Sequence, residues 1–192
     1  MKIPEKSALL VIDLQDGDYK DGLDDGIPIM EGSTTYQNAP KIIKFFREHD
    51  IPVIQIKEAH RADGVDFGRE LDGTEGVHCL EGTKAVDYNP LTKPEGKDYL
   101  ITKRRYSAFI GTDLDILLQC LKVDTLFLIG GLTDVCVHFT AVDAHQSNYH
   151  FYVVTDAVTG SSRKAHDFAL LNMKYLQRES NITTQDILTA EV

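Results

Sequence analysis

The sequence has few cysteines, an excess of acidic over basic residues, and no long apolar run. Its three cysteines, Cys79, Cys120 and Cys136, cannot all pair, which excludes a disulfide-dense fold. Twenty Lys and Arg residues against thirty Asp and Glu give a net charge of −10, which repels nucleic acid and anionic membrane surfaces. No segment approaches membrane-spanning length, and no secretory signal is recognisable. We therefore expect a cytoplasmic protein that binds neither nucleic acid nor membrane.

Several common catalytic and nucleotide-binding signatures are absent as well. The patterns G-x-x-x-x-G-K-[ST], G-x-G-x-x-G, H-E-x-x-H and G-x-S-x-G do not occur. What is present is an ordinary globular composition, with 192 residues, 42% of them hydrophobic and 26% charged. That length suffices for one buried core and is too short for two. We expect a single domain over residues 1–192.

Short apolar runs alternate with amphipathic segments along the chain. The runs lack polar alternation, which is typical of parallel strands buried on both faces. They predict strands at residues 7–12, 51–56, 99–102, 125–129 and 151–154. Helices are predicted at 39–49, with Pro40 in the first turn, after Thr112 as N-cap, at 136–147 and at 163–176. This alternation indicates a three-layer α/β/α sandwich around a parallel sheet.

Residues 58–98 do not follow this pattern and are called the long connection below. They are rich in glycine and charge and show no sustained period. Loops of that length in a compact domain are usually functional. We expect the long connection to form one rim of the site.

Three chemically reactive side chains stand at predicted strand ends or just beyond. Asp13 and Lys103 follow strands directly, and Cys136 lies where a loop enters a helix. Ligands bind at the carboxyl ends of parallel strands, and a helix N-terminus favours a thiolate, so Cys136 is the predicted nucleophile. Each residue alone also has an ordinary interpretation, as a turn residue, a solvated strand end or a core cysteine. His138 is a rival base, but it points to a different helical face from Cys136.

Three segments resemble the isochorismatase-like cysteine hydrolases, which include nicotinamidases and N-carbamoylsarcosine and ureidoacrylate amidohydrolases. The segments are ALLVIDLQDGDY (8–19), KRRYSAFIGTDLD (103–115) and LIGGLTDVCVHFTAVDAH (128–145). The resemblance implies a six-stranded, mostly parallel, Rossmann-like sheet and a catalytic triad of Asp13, Lys103 and Cys136. It also implies a cis peptide bond between Gly131 and Leu132, a homodimer or homotetramer, and no required cofactor.

The resemblance implies hydrolysis of a small-molecule amide through a covalent thioester. Asp13 would accept the thiol proton while Lys103 holds the carboxylate, and Cys136 would attack the carbonyl carbon. Backbone N–H groups of Leu132 and Cys136 would form the oxyanion hole. Two rival functions stay open, namely vinyl ether hydrolysis as in isochorismatases and a non-catalytic interaction module on the same fold.

A divalent metal such as zinc is a further implication of the resemblance. Glu58, His60 and His78 follow the order of the Asp-x-His pair and later histidine of nicotinamidases. Glutamate replaces the aspartate here, and Asp66 stands where those enzymes have a further histidine. The alternative is that these side chains are hydrogen-bonded loop residues.

Substrate recognition rests on less specific features. The resemblance aligns five residues with a small pocket, namely Gln15, Tyr19, Tyr106, Phe109 and Phe139. The basic cluster 103–105 favours an anionic substrate group, or else it is a strand end with paired acids.

Overall fold

A computed structural model describes residues 1–16 and 27–192 of the chain. Its centre is a parallel sheet of six strands in the order β3-β2-β1-β4-β5-β6. The strands are β1 (Ser7–Ile12), β2 (Val53–Glu58), β3 (Tyr99–Lys103), β4 (Thr125–Gly131), β5 (His150–Thr159) and β6 (Asn181–Ile182). The predicted sandwich of a six-stranded parallel sheet between helices is confirmed.

Helices cover both faces of the sheet because the central strands are apolar on both sides. They are α1 (Thr35–Glu48), α2 (Leu114–Cys120), α3 (Cys136–Gln146), α4 (Arg163–Leu176) and α5 (Thr184–Leu188). Alternate residues of β1 contribute to two separate cores. Leu10 and Ile12 pack with residues of α2 and α3, whereas Leu9 and Val11 pack with α1. All six residues of β1 are buried. Within the described ranges, no helix is long and apolar enough to cross a membrane.

Several predicted boundaries are wrong by a few residues. Helix α1 begins at Thr35, so Pro40 lies inside it and not in its first turn. Strand β2 begins and ends two residues later than predicted, which makes Glu58 its last residue. The N-cap of α2 is Asp113, while the Thr112 hydroxyl accepts a hydrogen bond from the Leu114 N–H at 3.2 Å. Propensity patterns fix element ends poorly because capping depends on contacts outside the element.

The long connection is irregular apart from two short 3₁₀ turns, Glu70–Asp72 and Lys84–Val86. Arginines that follow β3 fasten it to the sheet. Arg104 donates to the Ala59 carbonyl and pairs with Glu81 at 2.7 Å, and Arg105 donates to the Asp66 carbonyl at 2.6 Å. The long connection therefore lies against the carboxyl end of the sheet, as expected for a rim of the site.

Candidate active site

Four side chains meet at the carboxyl ends of the central strands. Asp13 follows β1, and Glu58 and Lys103 are paired in the register of β2 and β3, so their side chains leave the sheet on the same face. Cys136 is the first residue of α3, which follows β4 after a four-residue loop. The peptide bond between Gly131 and Leu132, at the start of that loop, is cis. Parallel topology thus brings together residues that are far apart in the sequence.

The Lys103 ammonium occupies the centre of this group. Its Nζ lies 2.8 Å from Asp13 Oδ2 and 3.3 Å from Cys136 Sγ, and it also contacts Glu58 Oε2. Cys136 Sγ is 3.8 Å from Glu58 Oε2. The Lys103 side chain is fully buried, and Asp13, Glu58 and Cys136 are each less than a tenth exposed. The structure therefore brings the three predicted triad residues together and adds Glu58 as a second carboxylate.

Burial and charge determine which groups of the site are ionised. Burial raises the pKa of Asp13 to about 6, against the opposing charge of Lys103. Burial would lower the pKa of Lys103, but Asp13, Cys136 and Glu58 raise it well above its usual value. The site thus holds an ammonium beside a largely ionised Asp13 carboxylate at neutral pH.

The Cys136 thiol is protonated in this resting state. Burial raises its pKa well above the usual value, and the charge of Lys103 offsets this only in part while Asp13 and Glu58 add to it. The preference for a thiolate that the start of α3 predicts is therefore opposed by burial in this site.

A second cluster adjoins the first through Glu58. Its Oε1 lies 2.9 Å from His78 Nε2 and 3.2 Å from His60 Nε2, and His60 Nε2 is also 3.4 Å from Glu70 Oε2. One ligand atom from each of these four buried side chains lies within 4.8 Å of all the others. Burial would lower the pKa of both histidines, but their acidic partners raise each to about 9. The two clusters share Glu58, because its other carboxylate oxygen, Oε2, contacts Lys103.

The donor arrangement fits a divalent transition metal. His78 Nδ1 donates to the Gly76 carbonyl at 2.7 Å, and His60 Nδ1 faces Asp66 Oδ1 at 3.5 Å, so both Nε2 atoms are directed toward the carboxylates. Acceptors behind the distal nitrogen are typical of metal-bound histidines. Both buried Glu70 oxygens lack a hydrogen bond among the described residues. Two imidazoles and two carboxylates are ligands that zinc accepts.

Backbone contacts of the long connection hold the histidines in place. His60 and Leu80 form an isolated parallel bridge, in which His60 N donates to the Cys79 carbonyl at 2.8 Å. Phe67 stacks on the His60 ring with centroids 3.9 Å apart. These contacts fix His60 beside the site although it lies in an irregular segment.

A cavity of about 40 Å³ opens beside Cys136. It is lined by Asp13, Ile27, Glu58, Glu75, His78, Cys79, Tyr106, Gly131, Leu132, Val135 and Cys136. Of the predicted pocket residues, Tyr106 lines it, and Phe139 stacks on Tyr106 with centroids 5.8 Å apart. Tyr19 lies outside the described residues. The cavity therefore retains one predicted aromatic wall.

Two other predicted pocket residues have structural roles. Gln15 is fully buried, its amide donates to the carbonyls of Glu58 and Ala85 at 2.9 and 2.7 Å, and its oxygen accepts from Glu58 N at 2.7 Å. It thereby holds the end of β2 in place. Phe109 packs in the core against Tyr149. Neither lines the cavity, because the amide and the ring are already occupied by these contacts.

The structure also shows the contacts of the basic cluster 103–105 and of His138, and the position of Cys120. Lys103 pairs with Asp13, and Arg104 and Arg105 bind acids and carbonyls of the long connection, so this basic cluster has paired acids. His138 bonds Asn172 of α4 at 2.8 Å, which agrees with a packing role. Cys120, the last residue of α2, is exposed although the helix buries Leu114 and Leu118.

Two functional candidates, Glu70 and Glu75, are absent from the sequence-based prediction. Both lie in the long connection, where no periodic pattern indicates which side chains turn inward. The surplus of acidic residues close to His78 is the only signal that the sequence offers.

Comparisons with known proteins agree with this geometry. Residues 7–187 match the isochorismatase domain. The chain is 31% identical over 174 residues to a probable inactive nicotinamidase of Arabidopsis thaliana, covering 88% of each chain. The structure of N-carbamoylsarcosine amidase from Thermoplasma acidophilum superposes with a TM-score of 0.76 at 28% identity, covering 93% of this chain and 96% of that one. The pyrazinamidase of Pyrococcus horikoshii, solved in complex with zinc, superposes with a TM-score of 0.79 at 27% identity, covering 93% and 99%.

Proposed function

The chain belongs to the isochorismatase family of hydrolases, and on that premise we propose that it is a cysteine-dependent amidohydrolase. It cleaves the C–N bond of a small carboxamide or ureido compound through a covalent thioester. The observation that carries this proposal is the placement of Cys136 Sγ within 3.3 Å of a buried ammonium that also pairs with Asp13. A nucleophile, a base and a group that orients the base are the parts that covalent hydrolysis needs.

Asp13 acts as the proton carrier in both halves of the reaction. Its carboxylate accepts the thiol proton of Cys136 as sulfur attacks the carbonyl carbon, and the C=O electron pair moves to oxygen. The C–N bond then breaks, and Asp13 returns the proton to the departing ammonia or amine. Lys103 keeps the Asp13 carboxylate oriented and compensates the charge that passes through the site.

Hydrolysis of the thioester uses the same groups in reverse. Asp13 deprotonates a water molecule that attacks the acyl carbon, the C–S bond breaks, and the sulfur recovers its proton. Backbone N–H groups of Leu132 and Cys136, both of which line the cavity, stabilise the oxyanion of each tetrahedral intermediate. One such donor typically contributes about 10²- to 10³-fold in rate.

The test is ammonia release from a panel of small carboxamides and ureides, with intact-mass detection of an acyl group on the Cys136 peptide. We expect at least one compound to release ammonia and to acylate Cys136 during turnover. The rival activity of the family, vinyl ether hydrolysis, predicts neither ammonia nor an acylated cysteine. Turnover of a vinyl ether without any amide hydrolysis would contradict the proposal.

We further propose that Glu58, His60, Glu70 and His78 hold a divalent metal such as zinc. A metal bound there supplies a Lewis acid beside the cavity, which orients a water molecule or a ring nitrogen of the substrate. The similar pyrazinamidase solved with zinc supports this assignment. Glu70 is the fourth ligand in this proposal. Asp66, which stands in the sequence where nicotinamidases have a further histidine, instead contacts His60 Nδ1.

Removal of a ligand is expected to lower the zinc affinity. Glu70→Gln and His78→Ala should each weaken zinc binding by about 100-fold or more, because the remaining donors cannot complete a four-coordinate site. Chelator competition with purified protein measures this directly. His145→Ala, which changes an exposed histidine of α3, should keep the wild-type affinity. Equal affinity in all four proteins, or no binding by the wild type, would rule out the assignment.

A further inference from the structure

Glu75 differs from the other acidic residues around the cavity. It lines the same cavity as Cys136, and none of the described residues holds its carboxylate by a hydrogen bond or a close ion pair. The charges that act on it are those of His78, Glu58, Glu70 and Lys103. Asp13 and Glu58 pair with Lys103, and Glu70 faces His60. Among the described residues, Glu75 is therefore the acidic residue of this wall that no cation contacts directly, although the charges of His78 and Lys103 act on it at longer range.

The charge balance of the site does not depend on whether a metal is bound. Two protonated histidines and a divalent cation held by two neutral histidines each contribute the same positive charge. Together with Lys103, either state balances the carboxylates of Asp13, Glu58 and Glu70. Among the described residues, the negative charge of Glu75 is left over in both states, so the part of the wall that they form is net negative.

The surroundings of Glu75 strengthen its effect on a ligand. Other parts of the cavity wall are apolar or aromatic, with Ile27, Leu132, Val135 and Tyr106. Burial raises the pKa of Glu75, and burial together with the charges of Glu75 and Glu70 raises the pKa of Tyr106 to about 12. Charges interact more strongly where water is partly excluded.

We propose that Glu75 determines substrate specificity by selecting amides that carry a cationic group, such as an ammonium, and by rejecting amides that carry a carboxylate. The inference rests on the proposed amidohydrolase function and names its substrate class. The cation of the substrate would pair with Glu75 while its carboxamide reaches Cys136. A neutral substrate would be intermediate, because it neither gains nor loses this interaction.

Alkylation of Cys136 measures the selectivity of the cavity without any assumption about catalysis. Iodoacetamide and iodoacetate differ in one amide-to-carboxylate replacement, and exposed Cys120 reports their intrinsic reactivity in the same sample. In the wild type we expect the iodoacetamide-to-iodoacetate rate ratio at Cys136 to exceed the ratio at Cys120 by about tenfold. Glu75→Gln should bring the two ratios together, and Glu75→Lys should invert them. Peptide mass spectrometry gives each rate.

The matched control is Glu81→Gln, which removes the same charge from the long connection at a side chain that pairs with Arg104. It should keep the wild-type ratio. Turnover is then measured with three amides of similar length, β-alaninamide, butanamide and succinamate, which carry an ammonium, a methyl group and a carboxylate. In the wild type kcat/KM should fall in that order by about tenfold at each step, and in Glu75→Gln the three values should become similar.

The outcomes separate the two proposals. A wild-type alkylation ratio that survives in Glu75→Gln overturns the role of Glu75. Loss of the ratio in Glu75→Gln, combined with no hydrolysis of any amide by the wild type, leaves charge selection by Glu75 standing and removes the amidohydrolase function.

Discussion

Replacement of Cys136 by alanine is expected to lower kcat/KM for any amide that the protein hydrolyses by about 10⁴-fold or more. In the proposed mechanism the sulfur forms the bond that carries the acyl group between the two half-reactions, and Lys103 holds the carboxylates of Asp13 and Glu58 by ion pairs. Single removals of a catalytic nucleophile in comparable triads cost about 10⁶-fold. Ammonia release at saturating and at low substrate concentration measures the loss in kcat and in kcat/KM.

The controls for this variant follow from the other two cysteines. Cys120→Ser changes an exposed thiol of α2 and should leave kcat/KM unchanged. Cys136→Ala should unfold at a temperature close to that of the wild type, because it removes a small buried group that holds no element in place. Residual activity within about tenfold of the wild type would contradict the covalent mechanism.

If the protein also hydrolysed vinyl ethers, Cys136→Ala should lose activity toward amides and keep activity toward vinyl ethers. A vinyl ether is cleaved after protonation of the substrate, which needs an acid and not a thiolate. Hydrolysis of such a compound at an unchanged rate in Cys136→Ala would assign the protein to ether chemistry, with Asp13 as the acid. This comparison distinguishes the two enzyme classes with one variant.

The proximity of Asp13, Lys103 and Cys136 was predictable because each stands at or just beyond a recognisable strand or helix boundary. Buried parallel strands form uninterrupted apolar runs, and the polar residue that ends a run lies at the edge where ligands bind. This argument makes Asp13, Lys103 and Cys136 candidates, and their assignment as a triad came from the resemblance to the cysteine hydrolases. Glu58 lies opposite Lys103 because β2 pairs with β3, and this pairing is known only from the structure.

The surroundings of the triad were not predictable in the same way. Glu70 and Glu75 lie in the long connection, whose path depends on tertiary contacts such as the Arg104 pairs and the bridge at His60. The resemblance assigned Gln15 to the pocket, yet its amide binds the backbone at the end of β2. The apolar stripe of α2 buries Leu114 and Leu118, and Cys120 lies on the opposite face.

The protonation state of Cys136 also depends on distances that a sequence does not contain. The position at the start of α3 favours a thiolate, and so does Lys103 at 3.3 Å. Burial and the charges of Asp13 and Glu58 act in the opposite direction and raise the pKa of the thiol well above its usual value. Catalysis therefore needs a base that takes the proton at the moment of attack, which is the role proposed for Asp13.

Replacement of Lys103 by methionine is expected to lower both stability and activity. Lys103 is the one cation within contact of Asp13 and Glu58 among the described residues that is not a histidine, and it is fully buried. Loss of one partner from a buried ion pair costs about 3–5 kcal/mol of unfolding free energy, because the other charge stays buried without compensation. Denaturant unfolding at neutral pH measures this, with exposed Lys97→Met as a control that should unfold like the wild type.

The pH dependence of Lys103→Met tests the same electrostatic argument. The charge of Lys103 lowers the pKa of Asp13 against the effect of burial, so its removal should raise that pKa above the value of about 6. The acid limb of the kcat/KM profile should therefore move to higher pH. The stability difference from the wild type should shrink as pH falls, because protonated carboxyl groups need no counter-charge.

The double variant Asp13→Asn/Lys103→Met decides whether the destabilisation comes from charge or from lost packing. Asparagine keeps the shape of Asp13 and removes the uncompensated charge, while Glu58 retains hydrogen bonds to His60 and His78. If charge is the cause, the double variant is more stable than Lys103→Met although it remains inactive. A double variant no more stable than Lys103→Met would show that the lysine stem supports the site by packing alone, and Lys103 would then have no electrostatic role in orienting the base.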